Sequence, residues 1–241
     1  MTGERRAIEW FVSFPGDLWV GGDQGAEVRA AFVREVLSLR TGARVLDAPC
    51  GDGRIAVHIA RAGYRITGID LTANLVRRAR NRFRKEGLRG TFLVRDLREL
   101  DFDGEFDAVF NWGGSFGYFD EAANRDVVRC YARALKPGGR LLIDQPTREY
   151  LLRHFHPSRK HGRMSIRARW DATTERLETT YRFTHGGGCR RFPMSIRLYT
   201  PGQFRRLLAG AGLVTEAVYG SLDGSRYHRG WRRIYVVGRK K

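Results

Sequence analysis

The sequence predicts an α/β fold: a doubly wound, mostly parallel sheet that carries an antiparallel β insertion. Three observations predict it. Short apolar runs alternate with helical patterns up to residue 144, with tight turns between them. The first run ends on an acid followed by two glycines (Val45-Leu-Asp-Ala-Pro-Cys-Gly-Asp-Gly53), and the second ends on another acid, Asp70. Beyond Arg148 the alternation stops, and β-leaning runs succeed one another as far as Tyr199.

Residues 1–25 carry Trp10, Phe11, Phe14, Trp19 and the Gly21-Gly22 pair. This is too aromatic for a disordered tail and too irregular to predict a helix. Ala26 to Leu39 has helical apolar spacing (Val28, Ala31, Phe32, Val36, Leu39) and stops at Gly42. Val45 and Leu46 begin the first strand, and Ile55 to Ala62 form the first crossover helix, ended by Gly63. Arg65 to Ile69 is the second strand, and Thr72 is the expected N-cap of a helix reaching Lys85. Thr91 to Val94 and Phe106 to Phe110 are strands three and four, followed by a helix over about 122–134. Pro137-Gly-Gly139 turns into strand five, Arg140 to Asp144.

The insertion spans 148–199. It begins with a helical piece, Glu149 to Phe155, followed by β runs at Met164–Trp170, Leu177–Thr184 and Arg190–Tyr199. Gly186-Gly187-Gly188 turns between the last two. Thr200-Pro201 starts a helix that Gly212 ends, and Leu213–Tyr219 and Arg233–Val237 are the last two strands. With no repeat and no low-complexity run, 1–241 reads as a single domain.

The glycine turn carries the chemistry. Gly51 and Gly53 free the backbone to turn sharply, and the following helix presents unpaired N–H groups at its positive end. Asp47 would attract a cationic amine while the turn amides receive a carboxylate. Asp70, about 20 residues past the glycines, is placed to accept the two hydroxyls of a ribose. Gly51-Asp-Gly53-Arg-Ile-Ala56 also fits a dinucleotide fingerprint, but Asp47 would put a carboxylate beside the pyrophosphate.

Taken together these residues resemble the class I S-adenosylmethionine-dependent methyltransferases. The match lies in Val45–Gly53, Gly68-Ile-Asp-Leu71, Asp96-Leu97 and Leu135-Lys-Pro-Gly-Gly139. The resemblance implies a Rossmann-like sheet of seven strands, the seventh antiparallel between five and six, with the insertion roofing the active site. It implies S-adenosylmethionine as cofactor, S-adenosylhomocysteine as product, and no metal. Cofactor contacts are implied at Asp47, Ala48, Pro49, Cys50, Gly51, Gly53, Asp70, Leu71, Asp96, Leu97, Asn111 and Trp112, with the segment 1–25 folding over the cofactor. The acceptor is expected beyond strand four, at residues 111–119, where no Asn-Pro-Pro-Tyr type of motif stands. Tyr118, His154, Arg197 and Tyr199 are the substrate-side candidates, Tyr118 to orient or deprotonate the acceptor and His154 as a base. No general base is obligatory for methyl transfer.

Composition bounds the partners. The 241 residues carry a net charge of +18, and all but five of the 44 basic residues are arginines, the lysines being 85, 136, 160, 240 and 241. Such a skew fits codon bias or heat adaptation as well as a ligand. The insertion holds 11 basic residues against 4 acids between 148 and 191, so a nucleic acid would touch there. Its arginines, Arg163, Arg167 and Arg169 among them, are expected to divide between both faces of the strands rather than line one groove. Cys50, Cys130 and Cys189 form neither a disulfide framework nor a metal spacing, as suits a reducing cytoplasm. No run is long and apolar enough for a membrane span. A small-molecule acceptor is therefore favoured. An RNA methyltransferase, an NAD(P)-dependent oxidoreductase and a cofactor-binding protein without catalysis are the alternatives.

Overall fold

The computed structural model describes residues 23–185 and 188–241. The expectations for the N-terminal segment up to residue 22, and for Gly186-Gly187 in the hairpin turn, lie outside these residues.

A seven-stranded sheet organises the chain. Its parallel strands are β1 (Arg44–Asp47), β2 (Arg65–Asp70), β3 (Gly90–Val94), β4 (Phe106–Asn111) and β5 (Leu135–Pro146). After the insertion come β10 (Leu213–Tyr219) and β11 (Arg233–Lys240), giving the order β10-β11-β5-β4-β1-β2-β3. β11 runs antiparallel between β5 and β10, as the resemblance implied.

Period-two alternation supplies two cores. Val45, Ala108, Leu142 and Val237 face one layer, with residues of α1 (Ala26–Val36), α2 (Ala56–Arg61) and α3 (Ala73–Lys85). Leu46, Val109, Leu141 and Val236 face the other, with α4 (Glu121–Ala134) and α6 (Pro201–Ala209). A Cβ on Gly68 would stand 2.6 Å from the Phe92 ring, so β2 and β3 meet there without room for a side chain.

Several local expectations hold and several do not. Thr200 and Gln203 complete a capping box with Pro201 at the first helical position. Thr72 occupies the N-cap position of α3 but makes no capping hydrogen bond; its N–H donates to the Asp70 carboxylate at 2.8 Å. α1 ends at Val36, where Ser38 takes a positive φ of 48°, and Val28 is exposed instead of core-facing. β5 starts at Leu135, paired with Phe106, so Pro137-Gly-Gly139 lies within the strand rather than before it.

The insertion opens with α5 (Arg148–Arg153) and forms a four-stranded antiparallel sheet: β6 (Ser158–His161), β7 (Met164–Asp171), β8 (Arg176–His185) and β9 (Gly188–Arg197). β6 escaped the sequence pattern because all four of its residues are exposed and no apolar alternation marks it. The register corrects the expectation for Arg167 and Arg169, which share one face, although Arg159, opposite Ile166, and Arg190, opposite Phe183, lie on the other. Ser165 pairs with Lys160 and Arg182, Arg182 with Arg191, and Arg167 and Arg169 follow Ser165 at two-residue steps. Those five basic residues therefore share one face, while Arg163 sits in the β6–β7 turn. The opposite face carries Ile166, Tyr181, Phe192 and Met194, and Phe192, Tyr181 and Met194 pack with Tyr118 of the main body.

Candidate active site

The carboxyl ends of β1, β2, β4 and β5 open into a cavity of about 630 Å3. The chain reverses direction between β1 and β4, the switch point where doubly wound sheets hold ligands.

Asp47 closes β1 and is 2% exposed. Burial, then the charges of Asp70 and Asp52, push its carboxyl well above the ordinary value. Among the described residues nothing hydrogen-bonds to it. The neighbouring acids contrast with it. Asp52 is held by Arg54 at 2.9 Å and by Arg82 at 3.0 Å. Burial raises Asp96, but hydrogen bonds from the Arg98 side chain and N–H outweigh this and leave it below the usual range. Asp70 accepts from the Gly51 N–H at 2.9 Å and from Thr72, which oppose but do not cancel the rise caused by burial. Asp70 thus ties the end of β2 to the glycine turn while its carboxylate still faces the cavity.

Gly51 has a φ of 52°, and a Cβ built on it would meet nothing within 4 Å. Its backbone is therefore open to a close ligand. Gly53 has a different task, since its Cβ would press on Ala79 of α3 at 3.1 Å.

Of the expected cofactor contacts, Asp47, Pro49, Cys50, Gly51, Asp70, Leu71, Asp96, Leu97 and Trp112 line the cavity. Ala48, Gly53 and Asn111 do not line it. Asn111 is fully buried and donates to the Tyr131 hydroxyl at 2.9 Å, which donates to the Ala48 carbonyl at 2.8 Å. Those three groups support the turn from below.

The substrate-side candidates separate. Tyr118 lines the cavity, and burial pushes its phenol above the ordinary value, so it remains protonated at neutral pH. Arg197 and Tyr199 are not cavity residues. Arg197 pairs with Glu121 at 2.7 Å and Glu175 at 2.5 Å, and the Tyr199 ring sits in the core with its hydroxyl 3.3 Å from Glu121. Their side chains clamp the base of the insertion to α4 and α6, which alternation alone could not reveal. His154 is exposed, stacks on Tyr150 at 4.0 Å and lies outside the cavity lining.

Sequence reasoning missed the far end of the cavity. Asp144, fully buried at β5, takes both Nε and Nη2 of Arg233 on β11 at 2.6 Å, and accepts from the Gly113 N–H at 2.9 Å. Tyr235 stacks on Trp112 with ring centroids 5.4 Å apart. Asp144 ends the strand five read from the sequence as Asp47 and Asp70 end theirs, though β5 itself runs on to Pro146, and that recurrence was the available signal. Among the described residues no group of three metal-ligating side chains forms, and no helix is long and apolar enough to cross a membrane.

Comparison with known proteins follows the same outline. Residues 45–139 match a methyltransferase domain family. The chain is 30% identical over 154 residues to glycine/sarcosine N-methyltransferase of Halorhodospira halochloris, covering 63% of this chain and 57% of that protein. It is 36% identical over 118 residues to ubiquinone biosynthesis O-methyltransferase of Xanthomonas oryzae pv. oryzae, covering 48% of each. The chain thus spans about half the length of the curated relatives it matches. Among solved structures, the CcbJ methyltransferase of Streptomyces caelestis superposes with a TM-score of 0.77 at 19% identity, covering 91% of this chain and 92% of that one. At that identity the likeness concerns the fold.

Proposed function

We propose, from the premise that this chain belongs to the class I S-adenosylmethionine-dependent methyltransferases, that it transfers the sulfonium methyl group to a small-molecule acceptor. The observation that carries this reading is the buried, unpartnered Asp47 beside the open glycine turn. A buried carboxyl that meets only other acids suits a ligand with a cationic group. S-adenosylmethionine supplies that group and an electrophilic methyl.

The residues present fit it. Asp47 would face the ammonium and the Gly51 backbone would border the amino-acid end. Asp70 would accept from the ribose hydroxyls, and Asp96 and Leu97 would border the adenine. Pro49, Cys50, Leu71 and Trp112 complete the walls, with Ala48, Gly53 and Asn111 supporting them. Trp112 and Tyr118 would exclude water and orient the acceptor. Tyr118, held protonated, serves as a hydrogen-bond donor and not as a base.

A dinucleotide is disfavoured because its pyrophosphate would add negative charge beside Asp47, Asp52 and Asp70 and supply no cation for the buried Asp47 carboxyl. An RNA acceptor is disfavoured because most of the insertion's strand cations, Arg167, Arg169, Arg182 and Arg191 among them, lie opposite the face that packs on Tyr118. We place the reaction in the cytoplasm, as the three unpaired cysteines suggest.

Thermal unfolding tests the reading. S-adenosylhomocysteine at 100 times its dissociation constant adds about 2.7 kcal/mol to stability, a rise of several degrees, whereas NAD gives none. A rise with NAD and none with S-adenosylhomocysteine would overturn it.

A further inference from the structure

The two ends of the cavity carry opposite charge. Asp47 and Asp70 end β1 and β2, and Asp96 follows β3. Asp144 and Arg233 stand on β5 and β11, and Arg232 is next to Arg233. Three strand spacings separate β1 from β11, roughly 14 Å at about 4.8 Å each.

At the β11 end the positive charge is not neutralised among the described residues. Asp144 balances Arg233, whose Nη1 has no partner among the described residues. Among the described residues Arg232, which lines the cavity, has no side-chain partner, and Arg29, from α1, donates only to the Gln24 carbonyl. Arg29, Arg232 and Arg233 line the cavity together with Tyr235; burial and then the Asp144 charge push that phenol up to about 12, against the opposing charges of the three arginines. The stacked Trp112–Tyr235 pair lines the same cavity as a flat, largely apolar wall. A concave site of this kind concentrates the field of its charges, and a guanidinium fixed by a carboxylate is preoriented for a second oxyanion.

We infer that the acceptor is a small planar anion, its carboxylate or phosphate held by Arg232 and Arg233 with its ring against Trp112 and Tyr235. This rests on the reading that the acid-lined end holds S-adenosylmethionine, and it leaves the methylated atom directed toward the middle of the cavity. Arg29, on the rim, adds to the attraction.

The test uses the full chain saturated with S-adenosylhomocysteine and titrated calorimetrically with benzoate, phenyl phosphate and benzamide. The better of the two anions binds at least about tenfold more tightly than benzamide, one charge-assisted contact being worth about that factor. Which anion leads identifies the oxyanion. Arg232→Gln lowers anion affinity by about the same factor and leaves S-adenosylhomocysteine affinity unchanged. Arg233→Gln alone strands the buried Asp144, so the paired Asp144→Asn, Arg233→Gln variant supplies the second measurement, with the same loss of anion affinity. Equal binding of benzamide and both anions would overturn the inference. So would anion affinity unmoved in both variants. Absence of S-adenosylhomocysteine binding would instead overturn the functional reading on which the inference depends.

Discussion

Replacing Asp47 by asparagine should strengthen the empty protein and weaken its grip on the cofactor. The carboxyl has an unfolded value of 3.8 and a folded value raised well above it by burial and by Asp70 and Asp52. A raised folded value means that ionisation opposes folding. The contribution of this group is fully present below about pH 4 and is lost as pH rises toward and through the folded value, at about 1.4 kcal/mol for each unit of the difference. Asparagine does not ionise, so the variant escapes this loss. For a chain of this size each kcal/mol moves the melting temperature by about 2–4 °C. The variant should therefore melt higher at neutral pH, and the gap should close toward pH 4. Binding moves the other way. Loss of a charge-assisted contact to the ammonium costs about 1.5–3 kcal/mol, roughly 10–100-fold in affinity. In the parent the bound cation also draws Asp47 into its ionised form, so binding releases protons and tightens as pH rises. Calorimetric titration of S-adenosylhomocysteine in buffers of different ionisation enthalpy reads that release, which the variant should lack. A variant that melts lower than the parent at neutral pH and binds S-adenosylhomocysteine with unchanged affinity would refute the assignment of Asp47.

Arg197→Met should destabilise the chain by about 3–5 kcal/mol, because Glu121 and Glu175 lose a partner that is only 10% exposed. Its S-adenosylhomocysteine affinity at low temperature should be unchanged, which calorimetry checks against thermal unfolding. Gly68→Ala should cost about 1–3 kcal/mol by overpacking against Phe92, with the circular dichroism spectrum retained and the denaturant midpoint lowered. Arg167→Glu combined with Arg191→Glu should elute from a polyanion column at lower salt and leave S-adenosylhomocysteine affinity untouched, since both residues lie on the outward face of the insertion.

Most of the sheet was legible because its physical causes are local. Val45, Leu46 and the glycines that follow leave little choice but a buried strand and a turn, and Asp70 repeats the pattern one unit later. The failures also have local causes. β6 has four exposed residues and so no alternation to read. The Leu135–Gly139 stretch looks like a turn in isolation, and only the pairing of Leu135 with Phe106 extends β5 through it. Thr72 has the right residue type for a cap, but its side chain is engaged by Asp70, two residues back, as is its N–H.

The site was legible at its acidic end and hidden at its basic end, because acids are scarce in this chain and arginines are not. Asp47 and Asp70 stand out against a background of 26 acids, whereas Arg233 is one basic residue in 44, and its partner Asp144 lies 89 positions away. The net charge of +18 could not say which arginines matter, but the fold sorts them by partner. Arg54, Arg82, Arg98 and Arg197 are taken up by nearby acids, and their charge is largely cancelled where it stands. Arg167, Arg182 and Arg191 face solvent on the insertion, where salt screens them. Arg29 and Arg232 belong to neither group, because they stand at a concave, partly apolar wall where no acid among the described residues pairs with them. Charge in that setting acts over the longest reach and with the least screening, so the arginines least distinguishable in the sequence are those best placed to select the acceptor.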